Sequence, residues 1–211
     1  GLLTATTFAG SGASLTALNA TNLGSGTVPT ARLGTGTANS SVHLRGDGTW
    51  AEAGGGKILQ VVSTLVTAVS STSVTTTATN LTGMTAQITP SATSSKIMVQ
   101  IRWAGAVSDT HDDWVFGVAR GGTQVNLGAT KGSGQLLGLT GLSGMGTNST
   151  TLMSANIITI DSPSSTSALT YTMTAITSGS RTVYNGRTVE DAAANSRERA
   201  SNEIILTEIA G

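Results

Sequence analysis

The sequence predicts an all-β chain, with an extended N-terminal segment over residues 1–56 and a β-sandwich or jelly-roll-like head over residues 57–211. Three observations predict this. After Gly56 the apolar residues recur with a period of two, the signature of strands with one buried face. Clusters of Gly, Ser, Thr and Pro separate these runs at short intervals, as turns between strands do. Charged residues make up 10% of the 211 residues and aromatic residues 3%, whereas an ordinary domain is about a quarter charged. A lone chain of this composition has a thin core and a weakly hydrated surface, and burial between identical copies answers both problems.

The same composition narrows function. The 11 basic and 11 acidic residues are scattered and sum to zero, so there is no basic face for nucleic-acid phosphates. With no cysteine in the chain, disulfides and thiolate metal sites are excluded, and the redox compartment stays undecided. No apolar run approaches the roughly 20 residues of a membrane helix, so no membrane insertion is expected. The chain begins at Gly1 rather than Met, which predicts a processed or partial product.

Residues 1–14 (GLLTATTFAGSGAS) favour extended structure, because Thr-rich alternation disfavours helix. From Leu15 to Trp50, isolated aliphatic residues alternate with Asn19, Asn22, Gly24, Gly26 and Pro29. That punctuation forbids a long helix and leaves no run able to bury a core by itself. Pro29 holds Val28 extended, 34–41 (GTGTANSS) reads as a flexible joint, and Trp50 offers apolar surface to anchor the segment on the next domain. The run 52–56 (EAGGG) marks the boundary.

The runs LNATNLGSGTVPTARLG and LRGDGTW within this stretch resemble the linker and shaft of bacteriophage tail fibre proteins. The C-terminal part, from GKILQVVS through ITPSATSSKIMV and DSPSSTSALTY to EIILTEIAG, resembles terminal domains of such fibres. The resemblance implies a homotrimeric virion component with an intertwined shaft. It places Leu15, Leu18, Leu23, Val28, Leu33, Leu44 and Trp50 in packing along the three-fold axis.

Within the head, Ile97, Val99, Ile101 and Trp103 share one face of a strand over 96–104. Trp114, Phe116 and Val118 alternate over 113–120, and Leu169, Tyr171 and Met173 over 169–176. Further strands are expected at 58–66, 73–79, 84–88, 152–160 and 203–209, with turns at 90–95, Gly121-Gly122 and 161–166. Residues 128–149 carry seven glycines among leucines and read as an apolar loop or a bent strand pair. Residues 188–201 hold much of the head's charge, with room for a helical turn or two, and both regions suit contact-bearing loops.

Three short motifs are candidate sites. Arg45-Gly46-Asp47 matches a cell-adhesion tripeptide, but two flanking glycines make it read first as a turn. Asp109, His111, Asp112, Asp113 and Trp114 form the densest polar cluster. It reads first as an exposed hairpin loop, then as a saccharide contact with Trp114 as a stacking platform or core residue, and last as a cation site short of oxygen ligands. Tyr184, Asn185 and Arg187 combine types common at interfaces. The plainer reading packs Tyr184 under a loop and pairs Arg187 with an acid such as Glu190.

Catalysis is not expected. Glycan hydrolysis takes two carboxylates held about 5–10 Å apart, and here Asp161 reads as a turn residue while Glu203 and Glu208 border an edge-like strand. Nucleophile-elbow, phosphate-loop and histidine-pair motifs are all absent from the sequence. No cofactor and no metal are expected. The leading expectation is a phage tail virion fibre that attaches to host surface polysaccharide or protein without chemistry. A structural virion part bound to another tail or baseplate protein comes second, and a polysaccharide depolymerase third.

Overall fold

A computed structural model describes residues 28–52, 57–129, 136–142, 150–193, 195 and 197–211. The chain divides into two compact units, Gly1–Gly55 and Gly56–Gly211. The extended structure expected over residues 1–14, and Leu15, Leu18 and Leu23, lie outside the described residues.

In the first unit a 3-10 turn, Thr30–Arg32, precedes a hairpin of β1 (Val42–Leu44) and β2 (Trp50–Glu52). The Arg45-Gly46-Asp47 tripeptide lies in its connection. Asp47 Oδ1 accepts from the Thr49 backbone N–H at 2.9 Å and the Thr49 hydroxyl at 2.6 Å, while Gly48 takes φ +79°. That is an Asx turn with glycine at the left-handed position, as the turn reading requires. The Trp50 indole N–H donates to the Thr30 carbonyl at 3.3 Å. Val28, Leu33 and Leu44 are exposed.

The second unit is a sandwich of two antiparallel sheets. Its strands are β3 (Ile58–Val66), β4 (Ser70–Val74), β5 (Thr79–Ile88), β6 (Lys96–Val107), β7 (Trp114–Arg120), β8 (Thr123–Gln124), β9 (Thr140–Gly141), β10 (Met153–Asp161), β11 (Leu169–Thr177), β12 (Arg181–Asn185) and β13 (Asn202–Ile209). One sheet joins β3, β13, β6, β12 and β4, with β10 on β6, and the other joins β5, β11, β7 and β8, with β9 on β7. No helix among the described residues is long and apolar enough to cross a membrane.

The twelve-residue β6 organises the larger sheet. Gly105 pairs with both Met153 and Asn185, so β10 runs along one edge of β6 while β13 and then β12 follow each other along the opposite edge. At that changeover the backbone would lose partners. Asn202 Oδ1 accepts from the Ala104 N–H at 2.7 Å, and the Gly186 N–H donates to the Ala104 carbonyl at 3.0 Å, which keeps these buried groups paired.

The core lies between the sheets, where Ile97, Val99, Ile101 and Trp103 of β6 meet Phe116, Val118, Tyr171 and Met173. Each large side chain withdrawn from water here contributes about 1.5–3 kcal/mol. Trp103 packs on Phe116 with ring centroids 5.1 Å apart. Gly105 makes room for that indole, since a Cβ there would overlap the Tyr184 carbonyl oxygen and lie 2.5 Å from Trp103 Cζ2. Gly105→Ala is therefore expected to lower stability by about 3 kcal/mol, as read from chemical denaturation. An unchanged midpoint would show that β12 can shift aside.

Several expectations need correction. The strand expected at 73–79 lies at 70–74, because runs of Ser and Thr carry too little apolar contrast to set a phase. The strand expected at 84–88 begins at Thr79. Gly83, at φ +80°, accompanies a register shift in β5, so Leu81 and Met84 are both buried three residues apart. β12 is not among the strands expected from periodicity. Residues 203–209 do not form an edge strand, because β13 pairs with β3 on one side and β6 on the other. Among the described residues of 188–201 there is no helix. Ion pairs from Arg197 to Glu190 and from Arg199 to Asp191 cross that loop.

Candidate functional site

The β6–β7 connection carries the polar cluster, and Arg181 at the start of β12 holds it. Arg181 Nε lies 2.6 Å from Asp112 Oδ2, and Arg181 Nη2 lies 3.3 Å from Asp109 Oδ2. Asp109 Oδ1 accepts from the His111 backbone N–H at 2.9 Å and lies 3.3 Å from the His111 ring Nδ1. The backbone donation from His111 above all, with further help from Arg181, holds the Asp109 carboxyl below its ordinary range. A second anchor is the paired exchange between Ser108 and Thr182, with both bonds at 2.9 Å.

With two carboxylates held inward by one guanidinium, the loop presents the others. The His111 side chain is 81% exposed, and Asp113 is exposed beside it. Three acids against one arginine leave this surface acidic and rich in acceptors. Such a surface can take hydrogen bonds from hydroxyl groups. Among the described residues no group of three or more His, Asp or Glu side chains is placed to hold a metal ion.

Two members of the predicted set do not belong to any contact surface. Trp114 is 5% exposed and stacks on Phe116, while its indole N–H donates to the Asp109 carbonyl at 2.8 Å. It is a core residue because it opens the inward-facing row of β7. Asn185 is fully buried. Its Oδ1 accepts from Trp103 Nε1 at 2.6 Å, and its Nδ2 donates to Ser70 Oγ at 2.8 Å and the Thr82 carbonyl at 3.0 Å. Alternation along β12 sends Asn185 inward with Val183 and Tyr184 outward.

Tyr184 and Arg187 do meet, with the Arg187 guanidinium 4.4 Å above the Tyr184 ring. The acid near Arg187 is Asp191, at 3.9 Å, rather than Glu190. Arg187 also donates to the carbonyls of Thr188 and Val189, both at 3.1 Å, so most of its capacity goes to ordering its own loop. Tyr184 and Arg181 occupy one strand but project from opposite faces, and this pair does not join the Asp109–Asp113 cluster.

Arg181 was missed in the sequence, where nothing separates it from other scattered charges except a Ser-Gly-Ser turn before it. Glu208 was missed as well. It is fully buried on the inner face of β13, with its carboxylate bonded to Gln60, Ser91 and Ser95. Asp161 is not a turn residue, since it closes β10. There it accepts from the Tyr171 hydroxyl at 2.7 Å and pairs with Arg120. Burial, with the bond to Asp161, pushes the Tyr171 hydroxyl pKa up.

Fold and site together define an antiparallel β-sandwich with an arginine-braced acidic loop. No family model and no curated protein matches the chain. Among solved structures it is similar to a chain of the "Structure of infectious bursal disease virus Gx strain". That match has 13% identity and a TM-score of 0.27, over 76% of this chain and 42% of that one. The chain thus spans about two fifths of that neighbour's length.

Proposed function

We propose that the chain is a homotrimeric bacteriophage tail fibre protein that attaches to host-surface glycan through the Asp109–Asp113 loop, without catalysis. The observation that carries this reading is the loop itself. Arg181 fixes its inner carboxylates and leaves His111 and Asp113 displayed on a rigid sandwich. The resemblance of 15–50 to fibre shafts supplies the virion setting. Three copies of a weak contact on one fibre bind a repetitive surface far more tightly than one copy does.

The test is binding of the purified chain to host cells and to a glycan array. His111→Ala with Asp113→Ala is expected to weaken binding at least tenfold through lost avidity while the thermal midpoint stays put. Arg181→Ala is expected to weaken it too, by freeing Asp109 and Asp112. Absence of wild-type binding to any host surface material would remove the receptor role. A head found buried against another virion protein in an intact particle would favour a structural role.

A further inference from the structure

The outer faces of the two sheets differ in kind. On the smaller sheet, Thr85 and Thr172 bond across strands at 3.1 Å and Gln87 donates to Thr170 at 3.2 Å, which makes a face that water wets. On the larger sheet the register sets Val61, Thr207, Met98 and Ile160 in one row. Ser63, Ile205, Gln100 and Ile158 form the next row, and Leu65, Glu203, Arg102 and Asn156 the third. Of these side chains Ile158 is 70% exposed, Leu65 60%, Val61 58% and Ile160 50%. A depression of about 380 Å³ lies among Arg102, Asn156, Ile158, Glu203 and Ile205.

We infer that this face is where copies of the chain join, an assignment that rests on the multimeric reading above and locates its contact. Size supports it. Four strands at about 4.8 Å spacing and about seven residues in length give a footprint of roughly 400 Å². That footprint is about half of the ~800 Å² per partner of a stable complex, before the relief of the side chains is added. Charge selects the occupant. The three rows hold one arginine and one glutamate as cross-strand neighbours, so the face is neutral and offers nothing to a strongly acidic or basic partner. Around a three-fold axis Arg102 of one copy can meet Glu203 of the next beside an apolar centre.

The experiment uses the full chain. Light scattering of the wild type should give a multiple of 21.1 kDa, and Ile158→Lys with Ile160→Lys should fall toward the single-chain mass at dilutions where the wild type holds together, with unchanged far-UV circular dichroism. A variant that keeps the wild-type mass overturns the face and leaves the multimer intact. A wild type that is itself monomeric overturns both readings.

Should the lysine pair unfold the sandwich, Ile158→Cys supplies a sole thiol in a cysteine-free chain. Its labelling should be at least ~tenfold slower than that of Gln87→Cys on the polar face, and dilution should abolish the difference by mass action. Equal labelling rates overturn the inference. Protection that persists on dilution does so too, because the cover would then belong to the chain itself.

Discussion

Glu208→Ala is expected to lower the stability of the sandwich by about 3 kcal/mol, the cost of removing an ionised acceptor that takes hydrogen bonds from three neutral side chains and a backbone N–H. Oε1 accepts from the Ser91 N–H at 2.7 Å and from the Ser91 and Ser95 hydroxyls at 2.6 Å. Oε2 accepts from Gln60 at 2.6 Å. Without the carboxylate the buried Ser95 hydroxyl and the Ser91 N–H lose their acceptor, Gln60 keeps only the Thr89 carbonyl, and the 89–95 loop loses its tie to the sheet. Glu208→Gln keeps the shape but sets an amide N–H₂ against a donor on one side.

Acid should act on the same group. Burial by itself raises the Glu208 pKa, but the hydrogen bonds from Ser91, Ser95 and Gln60 outweigh it and bring the value from 4.5 down to about 2. The unfolded chain therefore binds the proton first as pH falls. The stabilisation, roughly 3 kcal/mol by linkage, is complete above pH 4.5 and drains away toward pH 2. Urea midpoints measured from pH 6 to pH 2 should fall more steeply for wild type than for Glu208→Gln. Parallel curves would mean that the Glu208 carboxyl has the same pKa in the folded and the unfolded chain.

Trp103→Ala is expected to cost about 3–5 kcal/mol, since it removes the largest buried side chain and opens a cavity beside Phe116. Trp103→Phe separates packing from polarity. It retains much of the apolar surface but leaves Asn185 Oδ1 without its donor, so a loss of about 1–3 kcal/mol is expected. Both are measured by chemical denaturation. A Phe variant as stable as wild type would show that Ser70 and Thr82 alone hold Asn185.

The strands legible in the sequence were those whose faces differ in polarity. In β6, Ile97, Val99, Ile101 and Trp103 alternate with Met98, Gln100 and Arg102, and only one phase buries the first set. β7, β10 and β11 were legible for the same reason. β4 was not, because Ser, Thr and a single Val give little contrast, and neither was β12, whose Val183 is the one aliphatic residue of its five. β5 was half legible, because the register shift at Gly83 breaks the period that reveals a strand.

The site was legible only in part. A run of acids around His111 can be seen in the chain, but its brace, Arg181, comes from 70 residues further on, between Ser180 and Thr182. Asn185 and Trp114 looked like contact residues because their types favour interfaces, and strand phase turned both inward. Glu208 looked like a charge on an edge strand, since sequence does not say which strands sit beside it. β13 lies between β3 and β6, and that position buries the carboxylate.

What the sequence by itself determined is the class of structure: period-two polarity and turn chemistry are local properties, and they commit the chain from Lys57 onward to antiparallel strands. Which strands are neighbours, and therefore which polar side chains lose water and which apolar ones keep it, was decided only by tertiary pairing. Burial depends on partners far away in the chain, and no local pattern encodes them.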